Sequence, residues 1–279
     1  MPGRRAFLKL AGATLGAAAG TGLYTWRVEP HWLEIVRRPL PVRRLPARLR
    51  GATVALLSDI HVGTRVDDEY LLSVFARVAA LRPDITLFAG DFINYHAGVF
   101  DQAAAVYRHF PRGRLGTFAT LGNHDYGLRW SRLDIAAHVV RVVEAVGITV
   151  LRNETRDVEG LQIVGLDDWW SGQFQPHKAF DRFDFGRATI VLSHNPDTAD
   201  LPAWSGYDGW ILAGHTHGGQ CKPPFLPPPL LPVENRRYTS GEFALDGGRS
   251  MYISRGVGHL MRVRFNVRPE VTLFELRDA

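Results

Sequence analysis

Short apolar runs that end in polar, often glycine-containing tips recur along this chain. Residues 52–57 end at Ser58-Asp59, residues 85–89 at Gly90-Asp91, and residues 115–121 at Gly122-Asn123-His124-Asp125. Apolar runs this short, without alternation, predict strands buried on both faces. Between the first two, residues 70–81 carry Leu71, Leu72, Phe75, Val78 and Ala79 at helical spacing, with Pro83 just beyond. A second helix is predicted from Ser131, where Ser131 and Asp134 have capping-box spacing. Its apolar face runs through Ile135, Val139, Val142, Val143 and Val146, and Gly147 supplies the stop. Further strands are predicted at 148–151, 161–166, 188–192, 210–213, 241–245, 251–254 and 271–276. The front half alternates strand and helix, whereas the back half is mostly strands. That pattern predicts an α/β protein with two packed mixed sheets flanked by helices, rather than one doubly wound sheet.

The chemistry sits at the strand ends. To the three tips above are added Ser193-His194 and Gly214-His215-Thr216-His217, and Asp59 opens the run Asp59-Ile60-His61. Together these tips hold three carboxylates, one amide and five imidazoles. In open α/β sheets, ligands bind beyond the carboxyl ends of the strands, so five such tips can share one crevice. Carboxylate oxygens mixed with imidazole nitrogens suit Mn²⁺, Fe or Zn²⁺ better than Ca²⁺ or a thiolate-held metal. The donors are too many for one ion. Two ions ~3.5–4 Å apart and sharing a carboxylate would use most of them, an arrangement that recurs in phosphoryl transfer to water. Metal-dependent phosphoester hydrolysis is therefore the expected activity. Each motif alone is weak; the ordered set is specific.

That order, Asp-x-His, Gly-Asp, Gly-Asn-His-Asp, His, Gly-His-x-His, resembles the calcineurin-like metallophosphoesterase superfamily, over about residues 52–276. The run 215–220, Ser254-Arg255-Gly256, Arg264-Phe265-Asn266 and Arg268-Pro269-Glu270 are similar to the bacterial exported or membrane-associated YkuE/YaeI-type branch. Relatives of that branch include a type that cleaves UDP-2,3-diacylglucosamine in lipid A synthesis. The resemblance implies a four-layer αββα sandwich. It also implies that Asp59, His61 and His217 bind one metal, that Asp91 bridges, and that Asn123, His194 and His215 bind the other. A water between the ions would be the nucleophile. His124 would face the substrate and serve the leaving oxygen, with Asp125 orienting its ring and raising its pKa. One departure exists: many members carry a second acid three residues after the Gly-Asp acid, where this chain has Asn94. That position is not a ligand in the family, so the departure touches tuning rather than metal binding. The implied cofactors are two divalent ions, Mn²⁺ first, with Zn²⁺, Fe or Mg²⁺ as alternatives.

Composition narrows the setting. The chain has 279 residues, 46% of them hydrophobic, enough for one large α/β domain or two small ones. A division into a targeting segment (1–26), a basic Pro/Arg-rich connector (27–50) with an edge strand near 32–36, and a catalytic body (51–279) is expected. Net charge is +5, with the excess early, at Arg4, Arg5, Lys9, Arg37, Arg38, Arg43, Arg44, Arg48 and Arg50. Such a cluster suits an anionic membrane surface, or is an ordinary solvated linker. No recognition helix or stacking platform is present, so no nucleic acid partner is expected; no protein partner is inferred. Arg4-Arg5-Ala6-Phe7-Leu8-Lys9, followed by a weakly apolar stretch to Trp26, resembles a twin-arginine export signal. It implies a periplasmic, cell-wall or membrane-anchored protein on the outer face of the cytoplasmic membrane, with a cytoplasmic peripheral location as the alternative. Cys221 is the only cysteine, so no intrachain disulfide is possible; it is either close to the metals or simply packed.

Several residues border the crevice in sequence. Asn94, Tyr95 and His96, and the loop Asp167-Asp168-Trp169-Trp170, are candidates for the substrate entrance, with a plain loop or core packing as the other reading. Arg255 is a phosphate contact or part of a structural turn. The proline-rich run 222–232 cannot be helix or central strand, and carries Phe225, Leu226, Leu230 and Leu231. If exposed, these make an apolar lip suited to a lipid-linked substrate; otherwise the loop packs on the second sheet. The expected function is dimetal-dependent hydrolysis of a phosphodiester or pyrophosphate. The alternatives are a UDP-2,3-diacylglucosamine pyrophosphatase and a non-enzymatic metal-binding scaffold.

Overall fold

The computed structural model describes residues 3–279 apart from 182 and 205. Two six-stranded sheets stack face to face. The first contains β1 (Glu34–Val42), β2 (Thr53–Leu57), β3 (Ile85–Ala89), β4 (Gly116–Thr120), β5 (Thr149–Val150) and β12 (Glu270–Asp278), in the order β1-β12-β2-β3-β4-β5. The second contains β6 (Glu154–Val158), β7 (Leu161–Leu166), β8 (Thr189–Ser193), β9 (Trp210–Ala213), β10 (Gly241–Ala244) and β11 (Ser250–Ile253), in the order β10-β11-β9-β8-β7-β6. Strands β2 to β5 run parallel, as do β7, β8, β9 and β11, so each sheet presents several carboxyl ends on one edge. The antiparallel pairings, β12 with β2, β6 with β7 and β10 with β11, make both sheets mixed.

The apolar strands lack alternation because both of their faces are covered. Val54 and Leu56 of β2 point between the sheets, against Ile190, Leu192 and Leu212 of the second sheet. Ala55 and Leu57 point outward, beneath α2 (Asp68–Ala80), α3 (Phe100–Tyr107) and α4 (Leu133–Glu144). The outer face of the second sheet is covered by Trp204, Tyr207 and the short α5 (Pro176–Phe180). The result is the expected αββα sandwich.

Three local expectations change. The helix expected from Ser131 begins at Leu133 and has no side-chain cap, because Asp134 is taken by the Arg132 guanidinium at 2.7 and 2.8 Å. The edge strand expected near 32–36 is the nine-residue β1, parallel to β12. Its prolines at 39 and 41 suggest a linker, but an edge strand tolerates them. Much of the adjoining basic cluster is fastened to the body: Arg43 and Arg44 to Asp208, Arg48 to Glu159 and Arg50 to Asp278. α3, α5 and β6 were not anticipated, being short or half-polar.

α1 (Arg4–Leu23) continues through a π-helical turn, so that residues 4–31 form one helical run. This run is long and apolar enough to cross a membrane, and none of its most apolar window is buried against the body. Its foot is bound to the C-terminal segment. Arg264 N donates to Thr25 O at 3.0 Å, and the Glu29 carboxylate accepts from Val267 N at 2.5 Å.

Arg264 organises that segment. Its guanidinium is fully buried and donates to the carbonyls of Val267, Arg255, Gly256 and Gly258 at 2.6–3.2 Å. Burial lowers its pKa to about 10, so it is charged at neutral pH. Arg264→Met keeps the length but orphans these carbonyls, and is expected to destabilise the fold by at least ~3 kcal/mol. Urea denaturation measures this, and a loss under about 1 kcal/mol would contradict the role.

Candidate metal centre

The motifs meet where the carboxyl ends of the two sheets face each other. Asp59 and His61 follow β2, Asp91 follows β3, Asn123 follows β4, His194 follows β8, and His215 and His217 follow β9. Each is buried, none more than 4% exposed. Asp59, His61, Asp91, His215 and His217 all have φ between 50° and 71°. This left-handed backbone costs about 1–3 kcal/mol per non-glycine residue and persists only where the surroundings enforce it. Here it turns the chain sharply off the strand end, so that the side chain points into the seam.

Two clusters result. Asp59, His61 and His217 form one, and Asp91, His194 and His215 the other, each with its ligand atoms within 4.8 Å of one another. In the first, the His61 and His217 Nε2 atoms are 3.1 Å apart, and Asp59 Oδ1 lies 4.0 and 3.5 Å from them. In the second, His194 Nε2 lies 3.2 Å from Asp91 Oδ2, 3.3 Å from His215 Nδ1 and 3.2 Å from Asn123 Oδ1. Asp91 Oδ2 is also 3.5 Å from His61 Nε2, so one oxygen faces both clusters. Donor atoms held about 2.0–2.2 Å from a common ion stand roughly 3–3.5 Å from one another. The spacing thus fits two adjacent divalent ions. His194 Nδ1 is 2.6 Å from Ala89 O; an N–H donated there leaves the Nε2 lone pair for a metal.

The electrostatics agree. Burial alone would lower His194, but Asp91, Asp59 and Asp168 outweigh it and raise the ring to about 10. Burial raises Asp59 to about 7, against the opposing pull of His194. Burial also lowers His61 and His215 to about 3 and His217 well below its usual value, so these rings keep free lone pairs at neutral pH. Without a cation the cluster holds protons that a divalent ion must displace.

Glycines set the approach distances. A Cβ on Gly214 would lie 2.5 Å from Asp59 Oδ2, and one on Gly122 would collide with Asp91 Oδ1. The glycines in the Gly-His and Gly-Asn-His-Asp motifs are therefore spaces for carboxylates.

Asp125 departs from expectation. Its carboxylate accepts from the backbone N–H groups of Asp91, Phe92, Ile93 and Gly122 at 2.8–3.1 Å, tying two ligand loops together. It does not orient the His124 ring, whose Nδ1 has no partner among the described residues. Burial lowers the His124 pKa, with Asp91 opposing, rather than the expected rise. The reason is geometric: in this tight turn the nearest donors to Asp125 are main-chain amides. The His124 ring meets His61 edge-on at 4.8 Å, and its backbone N–H donates to Asp91 Oδ1 at 2.9 Å.

The other candidates divide. Tyr95 lies 5.5 Å from the His124 ring and exposed His96 4.4 Å from Tyr95, at the mouth; Asn94 is buried beside Gly63. Trp169 and Trp170 are both half-buried, and Trp170 meets the His215 ring edge-on at 4.4 Å. Asp168 is buried and raised to about 7 by that burial, with Oδ1 unpartnered among the described residues. Asp167 binds Arg152 and Tyr126 and is structural. Arg255 pairs with Glu34 and Glu270, which favours the structural reading. Cys221 is half-buried and bridges to Phe265. Trp130, which sequence reasoning missed, lies 4.5 Å from Trp170 at a positive φ that no sequence pattern reveals.

Two outcomes follow from this geometry. Metal uptake by chelator-stripped protein at pH 7 is expected to release protons, and affinity to weaken as pH falls from 8 to 6, because the ions compete with protons on His194 and Asp59. Calorimetry in buffers of different ionisation enthalpy reads this, and buffer-independent heats would refute it. Gly214→Ala should lower metal affinity by about 10–100-fold with the far-ultraviolet spectrum unchanged; unaltered metal content on dialysis would refute the close-approach argument.

Comparison with known proteins agrees with this geometry. The family model described as Calcineurin-like phosphoesterase matches residues 52–219. The chain is 32% identical to the phosphodiesterase YaeI of Escherichia coli, over 99% of this chain and 100% of that protein. It is 30% identical to the uncharacterised metallophosphoesterase YkuE of Bacillus subtilis (99% and 98%), and 28% identical to the UDP-2,3-diacylglucosamine pyrophosphatase LpxG of Chlamydia trachomatis (93% and 94%). With its paired His/Asp clusters at the ends of an αββα sandwich, this chain belongs to the calcineurin-like phosphoesterase family and is a dimetal-dependent phosphoesterase.

Proposed function

We propose that the protein hydrolyses a phosphodiester or pyrophosphate bond at the outer face of the cytoplasmic membrane. The observation that carries the reaction is the single oxygen, Asp91 Oδ2, facing both ligand clusters. In this reading Asp59, His61 and His217 would hold one ion and Asn123, His194 and His215 the other, with Asp91 shared between them. Mn²⁺ is the first choice for the mixed oxygen and nitrogen donor set. When bound, the ions would supply charge stabilisation on the phosphoryl oxygens and would lower the pKa of water toward neutral pH.

The remaining work falls to the chain. Gly122 and Gly214 leave room for the two carboxylates, and Asp125 holds the loops after β3 and β4 in register. His124 borders the centre half-buried, and its lowered pKa makes the ring neutral in the free protein. A neutral ring N–H donates a hydrogen bond to the leaving oxygen, and the approach of a phosphate anion raises its basicity. Tyr95, beside His124, would flank the leaving group, with His96 next to Tyr95.

The apolar run 4–31 supports a membrane-associated, exported protein, with Arg4-Arg5 as the twin-arginine element and an anionic membrane surface as neighbour. A second reading is UDP-2,3-diacylglucosamine pyrophosphatase activity, favoured by the near full-length match to LpxG. A compartment reporter fused to the chain separates the two, since that nucleotide-linked substrate is made inside the cell.

The deciding assay compares bis-p-nitrophenyl phosphate with p-nitrophenyl phosphate, using Mn²⁺-loaded protein and a chelated control. Chelator-sensitive cleavage favouring the diester is expected; monoester preference would overturn the substrate class. His124→Ala should retain both metal equivalents yet lose about 10²–10⁴-fold in turnover, with less loss for a p-nitrophenol leaving group than for an aliphatic alcohol. Full activity, or loss of metal, would refute the assignment.

A further inference from the structure

A groove of about 290 Å³ opens beside the first ligand cluster, with His217 in its wall. One side is Leu230, Leu231 and Pro232, the end of the proline-rich loop; the other is Leu260 and Met261. Thr216 and Gln220 also line it, but their polar atoms are engaged. The Gln220 amide donates to Met261 O and Val263 O and accepts from Leu260 N, each at 2.9 Å. Thr216 Oγ1 donates to Thr239 O at 2.5 Å and accepts from Gly218 N at 3.2 Å. An occupant therefore meets aliphatic surface along the groove and a metal-binding histidine in its wall. Apart from the His217 imidazole, its described lining carries no aromatic ring.

Two of its lining residues, Leu230 and Met261, reach the surface, and Phe225 and Leu226 earlier in the proline-rich loop are exposed as well. Phe225 is fully exposed, and Leu226, Leu230 and Met261 are 60%, 67% and 49% exposed. The expected lip of the proline-rich loop therefore faces solvent rather than the second sheet. Three residues past Met261, Arg264 N is bound to Thr25 O, at the foot of the helical run that is apolar enough to cross a membrane. A continuous set of hydrogen bonds thus links the membrane-competent helix, the 260–264 segment and the chain just after His217.

We propose that this groove is the subsite for an aliphatic chain of the phosphoester substrate, a membrane lipid whose phosphate reaches the metal centre while its chain lies between the 230–232 and 260–261 segments. This rests on the phosphoesterase reading above and adds the substrate class. Burying one methylene favours binding by roughly fourfold, so a chain held along the groove discriminates strongly against short esters.

The test uses the full metal-loaded chain and p-nitrophenyl alkyl phosphate diesters from methyl to decyl, each below its micelle concentration. kcat/KM is expected to rise at least tenfold from methyl to decyl. Leu231→Trp, which fills the groove, and the double variant Leu230→Asp/Met261→Asp, which charges it, should each bring the decyl-to-methyl ratio toward one. Matched thermal unfolding and metal content exclude misfolding. A flat wild-type series, or a ratio unchanged in both variants, overturns the subsite. If no ester is cleaved, the phosphoesterase reading fails separately. The groove is then read by calorimetric binding of decylphosphonate against methylphosphonate, where tighter decyl binding lost in both variants supports it and equal binding overturns it.

Discussion

Two carboxylates and four imidazoles withdrawn from water into one seam are the constraint on which the rest of this structure depends. Buried ionisable groups are tolerated only when paired, protonated or bound to metal. Here Asp91 leans on His194, Asp59 shifts toward its protonated form, and His61, His215 and His217 are driven neutral. Each adjustment is partial. A pair of divalent cations meets all of them at once, which makes the ions part of the energetic design as well as the chemistry.

Holding such a cluster together requires a rigid frame. Parallel strands of both sheets end on the same edge, and five ligand residues leave those ends through left-handed backbone. Asp125 locks the β3 and β4 loops through four main-chain N–H groups, and Arg264 locks the loops that follow β11 through four carbonyls. Both are ionisable side chains given over to the backbone. Each fixes irregular chain where no ladder hydrogen bonds are available.

The surroundings of the centre are asymmetric. Beside His215 stands Trp170, with Trp130 packed on Trp170; beside His217 lies aliphatic surface, linked by hydrogen bonds to the foot of the membrane-competent helix. The two ligand clusters thus sit between an aromatic flank and an aliphatic one. This separation is expected of a fold in which function is carried by loops mounted on a fixed scaffold.

The sequence by itself determined the buried strands, the two main helices, the two-sheet architecture and the five polar tips that converge, while the choice of seven ligands among their side chains came from the resemblance to the family. It did so because non-alternating apolar runs have few ways to be buried and because polar tips at parallel strand ends must share an edge. Gly122 and Gly214 were legible as motif letters, but not as the spaces their neighbours' carboxylates require. Only the tertiary structure decided that Asp125 serves the backbone rather than His124, that β1 joins the C-terminal strand, and that Trp130 packs on Trp170. It also decided that the polar atoms of Gln220 and Thr216 are used up, leaving the groove aliphatic. Each of these depends on which distant groups come within hydrogen-bonding or van der Waals reach, and that is a property of the packed chain which local pattern and spacing do not encode.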